Sequence, residues 1–175
     1  YQSPPQAPIL YIKPINTFNF HNNEIHLPEK VDKIQAGAAL GVVFRKTATK
    51  VPAESALHYV EGFTIVNDIS IPHENLYRPA IKQKSRDGFC PIGPWIVLVE
   101  ELSNPDQLEI RVYVNNKLTQ TNSTSNLARN TKQLIADVSE FMTLNPGDTL
   151  LVGTPENPPL LKSGDQVRIE IEGIG

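Results

Sequence analysis

A chain of 175 residues, 39% hydrophobic and 20% charged, has the make-up of one ordinary globular domain that can bury its own core. A net charge of -3, with no basic run beyond the loose Lys82/Lys84/Arg86 group, argues against nucleic acid or an anionic membrane surface as a partner. No stretch has the length of a membrane-spanning helix and no secretion leader is expected from the opening Tyr1-Gln2-Ser3, so the expected location is the cytoplasm.

Strands are expected to dominate. Ile9 to Ile12 is a short apolar run ended by Lys13-Pro14. Ala39 to Phe44 is apolar and turns basic at Arg45-Lys46, as a strand leaving a core would. Pro52 is expected to open a helix with Ala56, Leu57, Val60 and Phe63 as its buried stripe and Gly62 as its stop. Lys84 to Trp95 then combines the Pro and Gly of a surface loop with the interior residue types Phe89, Cys90, Ile92 and Trp95. A shaped loop that sets Lys84, Arg86 and Asp87 beside an apolar wall is a common way to build a binding site.

Further along, Leu108, Ile110, Val112 and Val114 alternate with polar positions, the period of a half-buried strand. Asn115-Asn116 suits a tight turn into a partner strand from Lys117 to Gln120. A second helix begins at an Asn130 or Thr131 cap, buries Leu134, Ile135, Val138, Phe141 and Met142, and stops at Asn145-Pro146-Gly147. Leu150 to Val152 and Val167 to Ile171 complete the strands.

Cys90 is the only cysteine, which excludes an internal disulfide and a Cys-based zinc site; its apolar neighbours point to a buried, inert thiol. His58 reads as structural. His21, His26 and His73 have no metal-site spacing, and Ser70 and Ser85 stand in no Ser-His-Asp arrangement. The sequon Asn122-Ser123-Thr124 reads as coincidence in a chain without a leader.

Several linked motifs carry a resemblance: Tyr59-Val60-Glu61-Gly62-Phe63-Thr64 running into Asn67-Asp68-Ile69-Ser70, Lys84-Ser85-Arg86-Asp87-Gly88-Phe89, Pro91 to Trp95, Phe141-Met142-Thr143-Leu144, Pro146-Gly147-Asp148, Val152-Gly153-Thr154-Pro155, and Glu170 to Gly175. In this order they resemble the fumarylacetoacetate hydrolase family from Lys13 to Gly175. Tyr77 to Lys82 followed by Arg86 to Pro91 is most similar to its isomerase/decarboxylase branch of 4-hydroxyphenylacetate (homoprotocatechuate) degradation, in the first of two family-like halves or subunits.

The resemblance implies a mainly β fold with few helices, a mixed β-sandwich roll of that family's C-terminal type, over one domain at 1–175 that lacks the family's N-terminal lid segment. It implies a homodimer, or a heterodimer with a paralogous subunit. It also implies chemistry on unsaturated 2-oxo or 2-hydroxy dicarboxylic acids with Mg²⁺ or Mn²⁺, where a hard cation stabilises an enolate. Carried over by motif, Lys84 is the catalytic lysine facing the substrate oxygens, Thr154 binds the substrate carboxylate, and Asp68 is the one remaining metal ligand. The family's two glutamates fall on Gly37 and Ala39, neither of which binds a metal, and an arginine position falls on Pro72; Arg78 is the substitute candidate. Weak or no binding of Mg²⁺ by this chain alone is therefore expected. The alternatives are a degraded structural subunit paired with a metal-competent paralogue, a C–C bond hydrolase, and a small-carboxylate binding protein.

Overall fold

The computed structural model describes residues 7–73 and 79–175. Its elements run β1 (Phe18–Asn19), β2 (Ile34–Gln35), β3 (Ala38–Phe44), a 3-10 segment (Ala53–Tyr59), β4 (Val60–Asn67), α1 (Ile81–Lys84), β5 (Cys90–Pro91), β6 (Val97–Leu98), β7 (Glu109–Val114), β8 (Lys117–Ser123), α2 (Thr131–Ser139), β9 (Thr149–Leu151), β10 (Leu160–Leu161) and β11 (Val167–Ile171). The expected mainly β architecture with few helices is the one observed, arranged as small open sheets. Among the described residues no helix is long and apolar enough to cross a membrane.

The central sheet has the order β6-β4-β3-β9, and its pairs are antiparallel. Every residue of β3 is buried, which explains why it reads as an unbroken apolar run rather than an alternation. A side chain at Gly41 would meet those of Val66 and Thr149 at 2.9 and 3.0 Å, so the neighbouring strands fill the space above it. The second sheet, β11-β7-β8, contains the expected hairpin. Its turn residues Asn115 and Asn116 both take positive φ, 51° and 62°, the left-handed geometry that Asn tolerates and that matches strand twist. Helix α2 is capped by Asn130, whose side chain accepts from the Gln133 N–H, and it packs on the Ala53–Tyr59 segment.

Five expectations are corrected. The helix expected after Pro52 is only a 3-10 segment, and Val60, Gly62 and Phe63 belong to strand β4. Gly62 stops nothing: a side chain there would meet the Val97 carbonyl oxygen at 2.1 Å, so its bare backbone lets β6 pair. The run Ile9 to Ile12 forms no strand, and Ile12 is 79% exposed. Phe141 lies beyond the end of α2 and is exposed. In the shaped loop Phe89 and Cys90 are buried as expected, but Trp95 is 56% exposed; its indole N–H donates to the Ile174 carbonyl and anchors the C-terminal residues.

The loop is fastened from behind by the N-terminal segment. β1 pairs in parallel with β5, the Gly88 N–H donates to the Asn16 carbonyl, the Ile92 N–H to that of Asn19, and the Asn16 amide to Asp87. Burial pushes the Cys90 thiol up to about 11, with Lys13, Asp68 and Lys84 near enough to act on it as smaller, partly cancelling influences.

Phe63, fully buried in β4, should cost about 3–5 kcal/mol when truncated to Ala, read by urea unfolding. A thiol ionising near 9 when unfolded and about 11 when folded makes the unfolded state the one that loses its proton first. Stability should therefore fall as pH rises through that window, and Cys90→Ser should flatten the fall. Native Cys90 should also react with a disulfide reagent at neutral pH only as fast as the chain opens; rapid reaction would show the thiol accessible.

Candidate functional site

β4 and β9 both run antiparallel to β3 on its two sides, so their C-terminal ends come to the N-terminal start of β3. The first delivers Asp68 and the second delivers Thr154. The hand-over at Asp68 is tight: its N–H donates to the Gly37 carbonyl at 2.8 Å, and the Gly37 N–H donates to the Asn67 side-chain oxygen at 2.9 Å. The following Ile69 N–H donates to the Phe89 carbonyl, bringing the shaped loop against the same strand end.

Asp68 leaves the sheet with its carboxylate clamped by two ammonium groups. Lys84 Nζ lies 2.6 Å from Oδ2 and Lys13 Nζ lies 3.0 Å from Oδ1. The three side chains are only 9% (Lys13), 15% (Lys84) and 14% (Asp68) exposed. Lys13 also donates to the carbonyls of Lys84, at 2.7 Å, and Phe89, at 3.4 Å, so all three of its protons are directed at named acceptors. Lys84 sits at the C-terminal end of α1, its N–H bonded to the Ala80 carbonyl. Its ammonium donates to Asp68 and stands 5.6 Å from the centre of the Tyr11 ring, near enough for a cation–π attraction.

The sequence-predicted residues Asp68 and Lys84 are thus in direct contact. Thr154 is exposed next to them: its methyl lies 3.0 Å from where a side chain at Gly37 would begin. Arg78 lies outside the described residues. His73 meets the Ile71 carbonyl through Nδ1. Lys13 was missed. The available signal was that it is the first charged residue of the chain, with no other Lys, Arg, Asp or Glu before Glu24; a charge so placed requires a partner if it is buried.

The residues do not fit a divalent cation. Gly37 and Ala39 offer no donor side chain, and a side chain at Gly37 would run into the Asp68 carbonyl oxygen at 2.3 Å. Both Asp68 oxygens already accept from ammonium groups, and among the described residues no three His, Cys, Asp or Glu side chains gather as ligands. A groove of about 1120 Å³ opens nearby, lined by His21, His26, Asn67 and Trp95 among others. Asn67 is among the residues lining this groove, while Asp68, next in sequence, meets the lysines.

The model of the fumarylacetoacetate (FAA) hydrolase C-terminal family matches residues 1–175. The chain is 43% identical over 99% of its length to the 4-hydroxyphenylacetate degradation bifunctional isomerase/decarboxylase of Escherichia coli, of which it spans 39%. A solved structure of 5-carboxymethyl-2-hydroxymuconate delta-isomerase from Mycobacterium smegmatis superposes with a TM-score of 0.90 at 36% identity, covering 98% of this chain and 67% of that one. Maleylpyruvate hydrolase from Sphingobium sp. SYK-6, solved with manganese(II) and pyruvate, superposes with a TM-score of 0.87 at 29% identity, covering 94% of this chain and 61% of that one. The chain belongs to the fumarylacetoacetate hydrolase family.

Proposed function

We propose that this chain is one half or subunit of an isomerase/decarboxylase that acts on unsaturated 2-oxo or 2-hydroxy dicarboxylic acids in 4-hydroxyphenylacetate breakdown in the cytoplasm. The identity to the bifunctional enzyme over nearly the whole chain supports the substrate class. The share of that relative left uncovered, with 39% matched, supports a second family-like domain as the partner, fused or separate. The site observation that carries the reading is the Lys84 ammonium, held by Asp68 at 2.6 Å with no second acceptor among the described residues.

Isomerising such an acid shifts a proton along a conjugated system, and decarboxylating it leaves the electrons of the broken C–C bond in that system. Both steps build negative charge on the oxygen at the 2-position. A fixed ammonium stabilises that charge without reorganising, and Asp68 keeps Lys84 aimed whether or not substrate is bound. Thr154, exposed at the end of β9, is the proposed hydrogen-bond donor to a terminal carboxylate, with Arg78 the proposed reader of the far one.

Lys84→Met should lower kcat/KM on a 2-hydroxy-dienedioate by about 100-fold or more, the usual scale for losing an oxyanion donor, while Lys82→Met, exposed on the same short helix, should leave it near the wild-type value. The assay uses this chain alone and together with its partner half. Wild-type kcat/KM in Lys84→Met, or turnover confined to the partner half, would assign this chain a supporting role.

A further inference from the structure

We propose that Lys13, Asp68 and Lys84 form a metal-independent oxyanion site, in which the fixed charge of Lys13 does the work of a divalent cation and Lys84 meets the ligand. The inference takes its ligand class, a 2-oxo carboxylate, from the function proposed above; it does not require turnover.

The donor count divides the labour between the lysines. An ammonium has three protons. Lys13 directs its three at Asp68, the Lys84 carbonyl and the Phe89 carbonyl, so it is an internal charge that also fixes the backbone of Lys84. Among the described residues, Lys84 directs one at Asp68 and stands over Tyr11, an aromatic face rather than an acceptor. Among the described residues, two ammonium groups face one carboxylate, which gives the cluster a surplus positive charge in a largely buried setting. Such a surplus is costly to leave alone and is relieved by an anion. The same surplus repels a divalent cation, which would have to displace both lysines from Asp68 to reach its oxygens.

The backbone argues in the same direction. Gly37 and Asp68 are joined by a 2.8 Å hydrogen bond, and the room a carboxylate-bearing side chain would need at Gly37 is taken by the Asp68 carbonyl. Ala39 is fully buried and paired with Val66. The strand start is thus closed over where ligands would stand, and the site is not an emptied metal site two substitutions from recovery.

The test uses wild-type chain treated with excess chelator. Calorimetric titration with 2-oxoglutarate, a saturated 2-oxo dicarboxylate, should give saturable binding, weakened about tenfold or more in Lys84→Met, about the scale of one lost charge-assisted hydrogen bond. Titration with Mn²⁺ alone, followed by the spectrum of the free ion, should show none captured in the micromolar range. Raising salt should weaken 2-oxoglutarate in the wild type, whereas in Lys13→Met, whose cluster is neutral, binding should be weaker and its salt dependence flatter; a merely structural role for Lys13 would leave the salt dependence unchanged. Micromolar capture of Mn²⁺, 2-oxoglutarate binding that appears only with Mn²⁺, or unaltered binding in Lys84→Met would each overturn the proposal. Binding without metal but without turnover would sink the proposed activity and leave this inference standing, whereas turnover that requires Mn²⁺ would do the reverse.

Discussion

A carboxylate held between two ammonium groups at the edge of a buried sheet sets the character of this molecule. Among the described residues Asp68 is the one acidic partner of Lys13 and of Lys84, and it joins three segments: the N-terminal stretch, the end of β4 and the end of α1. Buried ion pairs contribute little net stability, because desolvation offsets attraction. Removing one member is another matter, since the remaining charges are stranded; the usual cost is about 3–5 kcal/mol. The cluster is therefore better understood as a device that fixes where three segments meet than as a source of stability. Stability comes from the apolar interior around Phe44, Phe63 and Phe89.

Position follows from the central strand. Because β3 pairs with β4 on one side and β9 on the other, both antiparallel, residues far apart in the chain arrive at one strand end. Gly37 lets this happen closely. Its lack of a side chain allows the backbone after β4 to pass within hydrogen-bonding distance, and the Asn67 side chain satisfies the Gly37 N–H. The motif Asn67-Asp68 thus splits its work: the first residue closes the sheet edge and the second faces the charges.

Local chemistry explains what could be read from sequence. The β7–β8 hairpin was legible because alternation and an Asn-Asn turn act over neighbouring residues, as was α2 from its cap and stripe. The segment from Pro52 to Phe63 was misread because Ala56, Val60 and Phe63 recur at helical spacing, although Val60 and Phe63 are buried by pairing β4 with β3. Tertiary pairing overrode a local period there. Lys84 and Asp68 stood out as candidates through motif resemblance, and their contact at 2.6 Å is what the structure adds. Lys13 did not stand out, because its partners lie 55 and 71 residues away and nothing local marks it except its isolation. Trp95 misled in the opposite sense: a large aromatic residue in an apolar loop was assigned to the interior, but the Ile174 carbonyl that takes its N–H holds it at the surface.

Exchanging a divalent cation for ammonium groups changes which chemistry a site favours. An ammonium carries half the charge of Mg²⁺ and cannot chelate two oxygens of a 2-oxo acid, so it offers less stabilisation to an enolate whose charge sits on one oxygen. What it retains is directional hydrogen bonding from a pre-aimed group. Reactions that spread their charge over a conjugated chain of carbons and oxygens ask the least of any single contact. Proton shifts and decarboxylations of dienedioates belong to that class, whereas hydrolytic C–C cleavage adds water and localises charge at a carbonyl. On the function proposed above, the closed backbone at Gly37 and the two-lysine clamp on Asp68 make Lys84 the fixed donor to the oxygen on which negative charge develops.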